Sequence, residues 1–192
     1  MTPCATASYL ADVFHDSEVR IRIEADCENI KQEYPLMAAV ARASDTVDRH
    51  RSCVIYLEYE PACYENTVMM VGKGVTYDTG GCDIKACGSM MGMSRDKCGA
   101  AAIAGFVKAC DLLKPNVKVV ASLGMTRNSV GEDAYVADEL IKSRLGYAVR
   151  VGNTDAEGRM VMADLLAEVR VRAASGRAWA GLRVAGRGPG RS

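Results

Sequence analysis

The residues best equipped for chemistry fall in two glycine-flanked stretches. Lys73 and Asp78 flank Gly72-Lys73-Gly74-Val75-Thr76-Tyr77-Asp78-Thr79-Gly80-Gly81, Lys85 follows it, and Asp96 comes eleven residues later. Asp155 and Glu157 stand in Asn153-Thr154-Asp155-Ala156-Glu157-Gly158-Arg159. Asp-x-Glu in irregular backbone can turn both carboxylates to one side, and neighbouring glycines let the backbone approach an ion closely. Four carboxylates gathered without cations would repel and raise one another's pKa values, whereas two divalent ions would balance their charge. A carboxylate metal site and a set of solvated surface acids are both open at this point.

Other chemistries fit less well. A phosphate loop needs Gly-x-x-x-x-Gly-Lys-Ser/Thr, but Lys73 is followed by Gly74 and no glycine stands five before Gly72. A dinucleotide loop needs glycine where Tyr77 sits. His15 and His50, the two histidines, lie in polar surroundings away from any nucleophile elbow and read as surface groups. The eight cysteines are scattered, no Cys-x-x-Cys pair occurs, and free thiols are expected rather than a zinc site or a disulfide scaffold.

The elements that must position these residues alternate. Helical spacing of Tyr9, Leu10 and Val13 predicts a helix over 6–14, and Val19, Ile21 and Ile23 alternate as a strand. Pro35 opens a helix through Val40, Val54 to Leu57 mark a strand over 52–60, residues 61–66 a turn, and 67–71 a second strand. The glycine-rich stretch 72–81 is expected to be a loop. Ser94 is expected to cap a helix over 95–113, followed by a strand at 117–123 and a helix at 136–145. A short strand at 147–151, a compact loop at 152–158 and a helix from Arg159 complete the order. This is the pattern of a layered α/β domain, a mixed, largely parallel central sheet flanked by helices with functional loops at strand ends.

Composition bounds the partners. Twenty-four basic residues match twenty-four acidic ones, so global charge draws the chain to neither nucleic acid nor anionic membrane. Hydrophobic residues at 49% and charged ones at 25% are ordinary globular usage. No apolar run approaches the ~20 residues that cross a bilayer, and the first residues lack a secretory signal, so a cytoplasmic location is expected. Residues 169–192 differ: six arginines, no lysine and no acid. A poorly ordered tail is expected there, with nucleic-acid binding the weaker reading.

Taken together, 71–81, Lys85, Asp96 before Gly99-Ala100-Ala101-Ala102, and the Asn153 to Arg159 motif resemble the leucyl (cytosol) aminopeptidases. The resemblance covers residues 2–168 with block order and spacing kept, and the wording Gly92-Met93-Ser94-Arg95-Asp96 is nearest the animal branch. It implies a two-metal exopeptidase acting on peptides with a free N-terminus. Asp78, Asp155 and Glu157 would hold the metals, with Lys73 and Asp96 completing the looser site. Carboxylates with one lysine suit Zn2+ or Mn2+. Lys73 could ligate only when neutral, because an ammonium has no lone pair.

The resemblance further implies that Lys85 is the catalytic lysine, protonated and facing the developing oxyanion. It implies that Arg159 holds a bicarbonate acting as general base, whose planar shape suits a guanidinium, and that the protein is a homo-oligomer, hexameric in the family. Against this stand departures. The match begins near the start of the catalytic domain and stops near Glu168, giving a partial catalytic domain at 1–168 and a foreign tail at 169–192. Missing strands would uncover apolar sheet surface. An alternative expectation is therefore an inactive fragment or isoform that keeps the metal ligands and acts by binding a partner.

Overall fold

The computed structural model describes residues 1–175. Helix α1 (Pro3–Val13) begins with proline in its first turn, and the Thr2 hydroxyl accepts the Ala5 N–H. Strand β1 (Arg20–Glu24), helices α2 (Cys27–Glu33) and α3 (Pro35–Asp45), and strands β2 (Cys53–Tyr59) and β3 (Asn66–Asp78) follow. Helix α4 (Cys98–Leu113) crosses to strand β4 (Val117–Asn128). The short strands β5 (Leu140–Lys142) and β6 (Ala148–Arg150) precede α5 (Glu157–Ser175).

The main sheet has the order β1-β2-β4-β3. It is mixed: β1–β2 and β2–β4 are antiparallel, and the parallel character expected for most of the sheet is confined to β3–β4. Helix α4 carries the chain between those two strands, the long crossover a parallel pair requires. Helices flank both faces. Ile55, Leu57, Val119, Ala121 and Leu123 point to α1 and α4, while Val54, Tyr56 and Val75 pack with α3 and α5. Covered on both sides, β2 is buried at every position. Each such Ile, Leu or Val side chain contributes on the order of 1.5–3 kcal/mol by leaving water.

Several local expectations are corrected. The stretch from Gly72 to Asp78 is strand, not loop, because its glycines serve close packing rather than turning. A Cβ at Gly72 would lie 2.8 Å from Ala100 Cα and 2.9 Å from Leu123 Cδ2. One at Gly74 would lie 2.7 Å from Gly124 O. The turn begins only at Gly80 and Gly81, whose φ values are +89° and +66°. Ser94 caps no helix: Met93–Arg95 is a 3-10 turn ending at Asp96, and α4 starts at Cys98 after non-helical Lys97.

The helix expected over 136–145 is absent. Leu140–Lys142 instead pairs with Ala148–Arg150 as a hairpin, with Gly146 at φ +85° in the turn and Arg42 gripping Glu139 at 2.7 and 2.9 Å. Helix α2 has no clear apolar period to announce it and is held at its start by the Asp26 side chain accepting the Asn29 N–H. The second compact loop tightens into a 3-10 turn at Thr154–Ala156, and α5 begins at Glu157, two residues before the expected Arg159, and runs to Ser175. The arginine-rich tail beyond that lies outside the described residues.

Candidate metal centre

Strands β3 and β4 run side by side and finish at the same edge, so whatever follows them shares one corner. The β3–β4 register slips between Val75 and Asp78, a bulge that re-aims the end of β3 and sets Asp78 opposite Asn128. The Asp78 Oδ1 atom accepts the Gly80 N–H at 2.9 Å and the Asn128 amide at 2.8 Å. Its Oδ2 faces Lys85 Nζ at 3.1 Å.

The second motif is stitched onto this corner through Thr154. Its hydroxyl donates to Gly80 O at 2.6 Å, its N–H donates to Asp83 Oδ2 at 2.7 Å, and its carbonyl accepts from Asn128 and Tyr135. The Asn153 side chain accepts the Asp155 N–H, starting the turn that delivers Asp155 and Glu157. Asp155 Oδ1 lies 2.6 Å from Lys85 Nζ. Glu157 Oε1 lies 2.6 Å from Lys73 Nζ, which also meets Asp96 Oδ2 at 2.7 Å. Gly158 leaves room for that lysine, since a Cβ there would stand 2.8 Å from Lys73 Cδ.

The structure therefore brings together Lys73, Asp78, Lys85, Asp96, Asp155 and Glu157. Carboxylate oxygens of Asp78, Asp155 and Glu157 all lie within 4.8 Å of one another, while Asp96 joins through Lys73. Arg159 is not drawn in: it stands two residues beyond Glu157 on the first turn of α5, exposed. Asn128 and Thr154 belong to the site as well, and the Tyr135 hydroxyl supports it from outside by donating to the Thr154 carbonyl. No sequence motif marks Asn128 or Tyr135, because a lone Asn at a strand end resembles any other.

Four acids meet two ammonium groups here. Asp78 is 3% exposed and Glu157 1%. Burial pushes the Glu157 carboxyl up to about 7, Lys73 opposing the rise and Asp78 adding to it. Burial works to lower Lys73, but its hydrogen bonds to Asp96 and Glu157 outweigh it and the ammonium is held above its ordinary value. The hydrogen bond to Asp155, against burial and with further help from Asp78, holds Lys85 higher still. Glu157 Oε2 is buried and accepts no hydrogen bond among the described residues. An excess of buried carboxylate with an oxygen left over is what a cation site provides, so the donor set fits divalent metal. The lysines occupy the gaps between the acids as the positive charge the chain itself can supply.

The sequence profile of the cytosol aminopeptidase family, catalytic domain, matches residues 1–177. A Caenorhabditis elegans protein bearing an aminopeptidase name is 46% identical over 168 residues, 86% of this chain and 32% of that protein. The crystal structure of a cytosol aminopeptidase from Coxiella burnetii superposes with a TM-score of 0.80 at 31% identity, over 88% of this chain and 36% of that one. The bottromycin maturation enzyme BotP in complex with Mn gives a TM-score of 0.80 at 28% identity, over 87% and 35%. The chain thus spans about a third of the length of the relatives it matches.

Proposed function

The chain belongs to the cytosol aminopeptidase family, and from that premise we propose that it forms the metal centre of a two-metal aminopeptidase releasing N-terminal residues from peptides. One observation carries the reading: the family motifs converge on four acids and two lysines, with Glu157 Oε2 buried and unpartnered among the described residues. Asp78, Asp155 and Glu157 hold two divalent ions, Zn2+ or Mn2+, with Lys73 and Asp96 completing the looser position. A Mn complex of a structural relative supports that choice of ion. Divalent ions there supply Lewis acidity, lowering the pKa of water, polarising the scissile carbonyl and anchoring a free α-amine.

The chain's own groups do the rest. Lys73 bridges Asp96 and Glu157 as an ammonium, and it would hold a metal only as the neutral amine, with its proton released to water. Lys85 keeps its proton throughout, held by Asp78 and Asp155, and donates to the oxyanion that develops on the scissile carbonyl. Arg159, exposed on the first turn of α5, is assigned by the family resemblance alone to hold a bicarbonate as general base. A cytoplasmic homo-oligomer, hexameric as in the family, is the proposed setting. Among the described residues no helix is long and apolar enough to cross a membrane.

A second reading has its own support. Strand β3, bearer of Lys73 and Asp78, is an edge strand of the described sheet, which suits a chain that keeps the ligands but works only when a partner covers that edge. Hydrolysis of a leucine chromogenic amide with Mn2+ or Zn2+ separates the two. Turnover by the wild-type chain that Glu157→Ala abolishes supports the enzyme. Metal uptake without turnover favours the ligand-retaining fragment, and absence of uptake overturns both.

A further inference from the structure

We propose that Asn128 is a positioning residue for the metal centre, fixing Asp78 so that one carboxylate oxygen is committed to the protein and the other is left for the cation. The inference rests on the metal-site reading above and adds to it a residue outside the two motifs. Asn128 ends β4 and is fully buried. Its amide nitrogen donates to Asp78 Oδ1 at 2.8 Å and to Thr154 O at 3.0 Å. Both neighbours only accept, so the orientation of the amide is dictated: rotated by half a turn, its oxygen would face two acceptors.

The arrangement leaves a mark. Asn128 Oδ1 is buried without a hydrogen bond among the described residues. A side chain chosen for local stability alone would not leave its carbonyl unsatisfied, since that costs free energy with nothing returned. The NH2 group is what this position requires. With Gly80 N–H also on Oδ1, that oxygen carries two donors, and Oδ2 is turned toward Lys85. The same residue accepts the N–H and hydroxyl of Thr79 on its backbone carbonyl, at 3.1 and 3.0 Å. One asparagine thus ties the turn after β3 to the turn before α5, the two segments that bring acids to the centre. Groups that orient ligands in this way are worth about 10- to 100-fold in metal affinity.

Tyr135 supplies the control. It is 1% exposed and donates to the same Thr154 carbonyl at 2.7 Å, but among the described residues makes no hydrogen bond to Asp78. Mn2+ affinity of the full chain, measured by titration calorimetry, is compared among wild type, Asn128→Ala, isosteric Asn128→Asp and Tyr135→Phe, with circular dichroism reporting folding. The visible absorption of bound Co2+ reports ligand geometry. The expected result is a loss of about 10- to 100-fold for both Asn128 variants with an altered Co2+ spectrum, and less than a threefold change for Tyr135→Phe. Equal losses in all three variants would mean that Asn128 only holds the Thr154 turn, and would overturn the proposal. Unchanged affinity and spectrum in whichever Asn128 variant folds would also overturn it. A wild-type chain that takes up no metal would instead defeat the underlying metal-site reading, and the proposal with it.

Discussion

Strand β4 has a lysine–carboxylate cluster at each end, and the two are built to opposite rules. At its start, Lys118 lies 2.8 Å from Glu58 and 2.9 Å from Glu60, and Arg20 reaches Glu58 at 3.0 Å and also pairs with Glu60. Two acids meet two bases. At its finish, around Asn128, four acids meet two lysines and a buried carboxylate oxygen is left over. Both clusters are partly buried, both use lysine, and pairing alone would describe them alike. What separates them is balance: a closed set of charges is a joint in the fold, whereas an excess of one sign held in place by the backbone is a request for a ligand.

The sharpest way to break this comparison is to unbalance the closed end. Lys118→Met removes the shorter ion pair of Glu58, which is 5% exposed, and leaves the mostly exposed Arg20 as its ion-pair partner among the described residues. Stranding a buried charge costs about 3–5 kcal/mol, and with Arg20 remaining the lower figure is expected in urea unfolding. Next in size is the effect of filling the open end. Mn2+ at a hundredfold excess over its dissociation constant should stabilise the wild-type chain by about 2.7 kcal/mol. That gain should be missing in Glu157→Gln. Metal that stabilised both proteins equally would place the ion elsewhere.

With a chelator present, Glu157→Gln should do the reverse of Lys118→Met. Glu157 is pushed up to about 7, so the folded chain prefers its neutral form. At pH 8, glutamine imitates that form and should raise stability by at least about 1 kcal/mol in thermal unfolding, because each tenfold difference in proton affinity between folded and unfolded chains is worth about 1.36 kcal/mol. Loss of the charge destabilises at one end of β4 and stabilises at the other. A destabilised Glu157→Gln would mean that its pairing with Lys73 is as structural as Lys118 with Glu58.

How much of this is readable in the sequence follows from how far each feature reaches along the chain. Lys73, Asp78, Asp96, Asp155 and Glu157 stand out as candidates by residue type beside the glycine-rich stretches, but spacing leaves a metal site and solvated acids both open, and the family resemblance is what implies that they are ligands. The β–α alternation announces the layered fold through local periodicity. The glycines mislead because a glycine that admits Ala100 looks, in sequence, like one that turns the chain. Residues 136–145 mislead because a three-residue strand such as Leu140–Lys142 is defined by its partner, Ala148–Arg150, rather than by its own period. Asn128 is invisible for a deeper reason. Its role depends on the register slip that sets it opposite Asp78, a residue of a different strand, and a register between distant strands leaves no local trace.

The smallest expected effect sharpens the contrast through pH. The hydrogen bond from Lys118, against some burial and with help from Arg20 and Tyr64, holds the Glu60 carboxyl below its ordinary value. A depressed folded pKa means that the unfolded chain takes up the proton first. The stabilisation from Glu60 is therefore complete above the unfolded value of about 4.3 and is lost as pH falls through the lower folded value. Glu60→Gln should be less stable than wild type at pH 6, and the gap should narrow as pH falls below the unfolded value in parallel urea titrations. Because the side chain is 34% exposed, the difference should also shrink in high salt, as a solvent-screened pair must. A gap that did not narrow on acidification would trace the loss to packing rather than charge, and the closed end of β4 would then owe its stability to shape instead of balance.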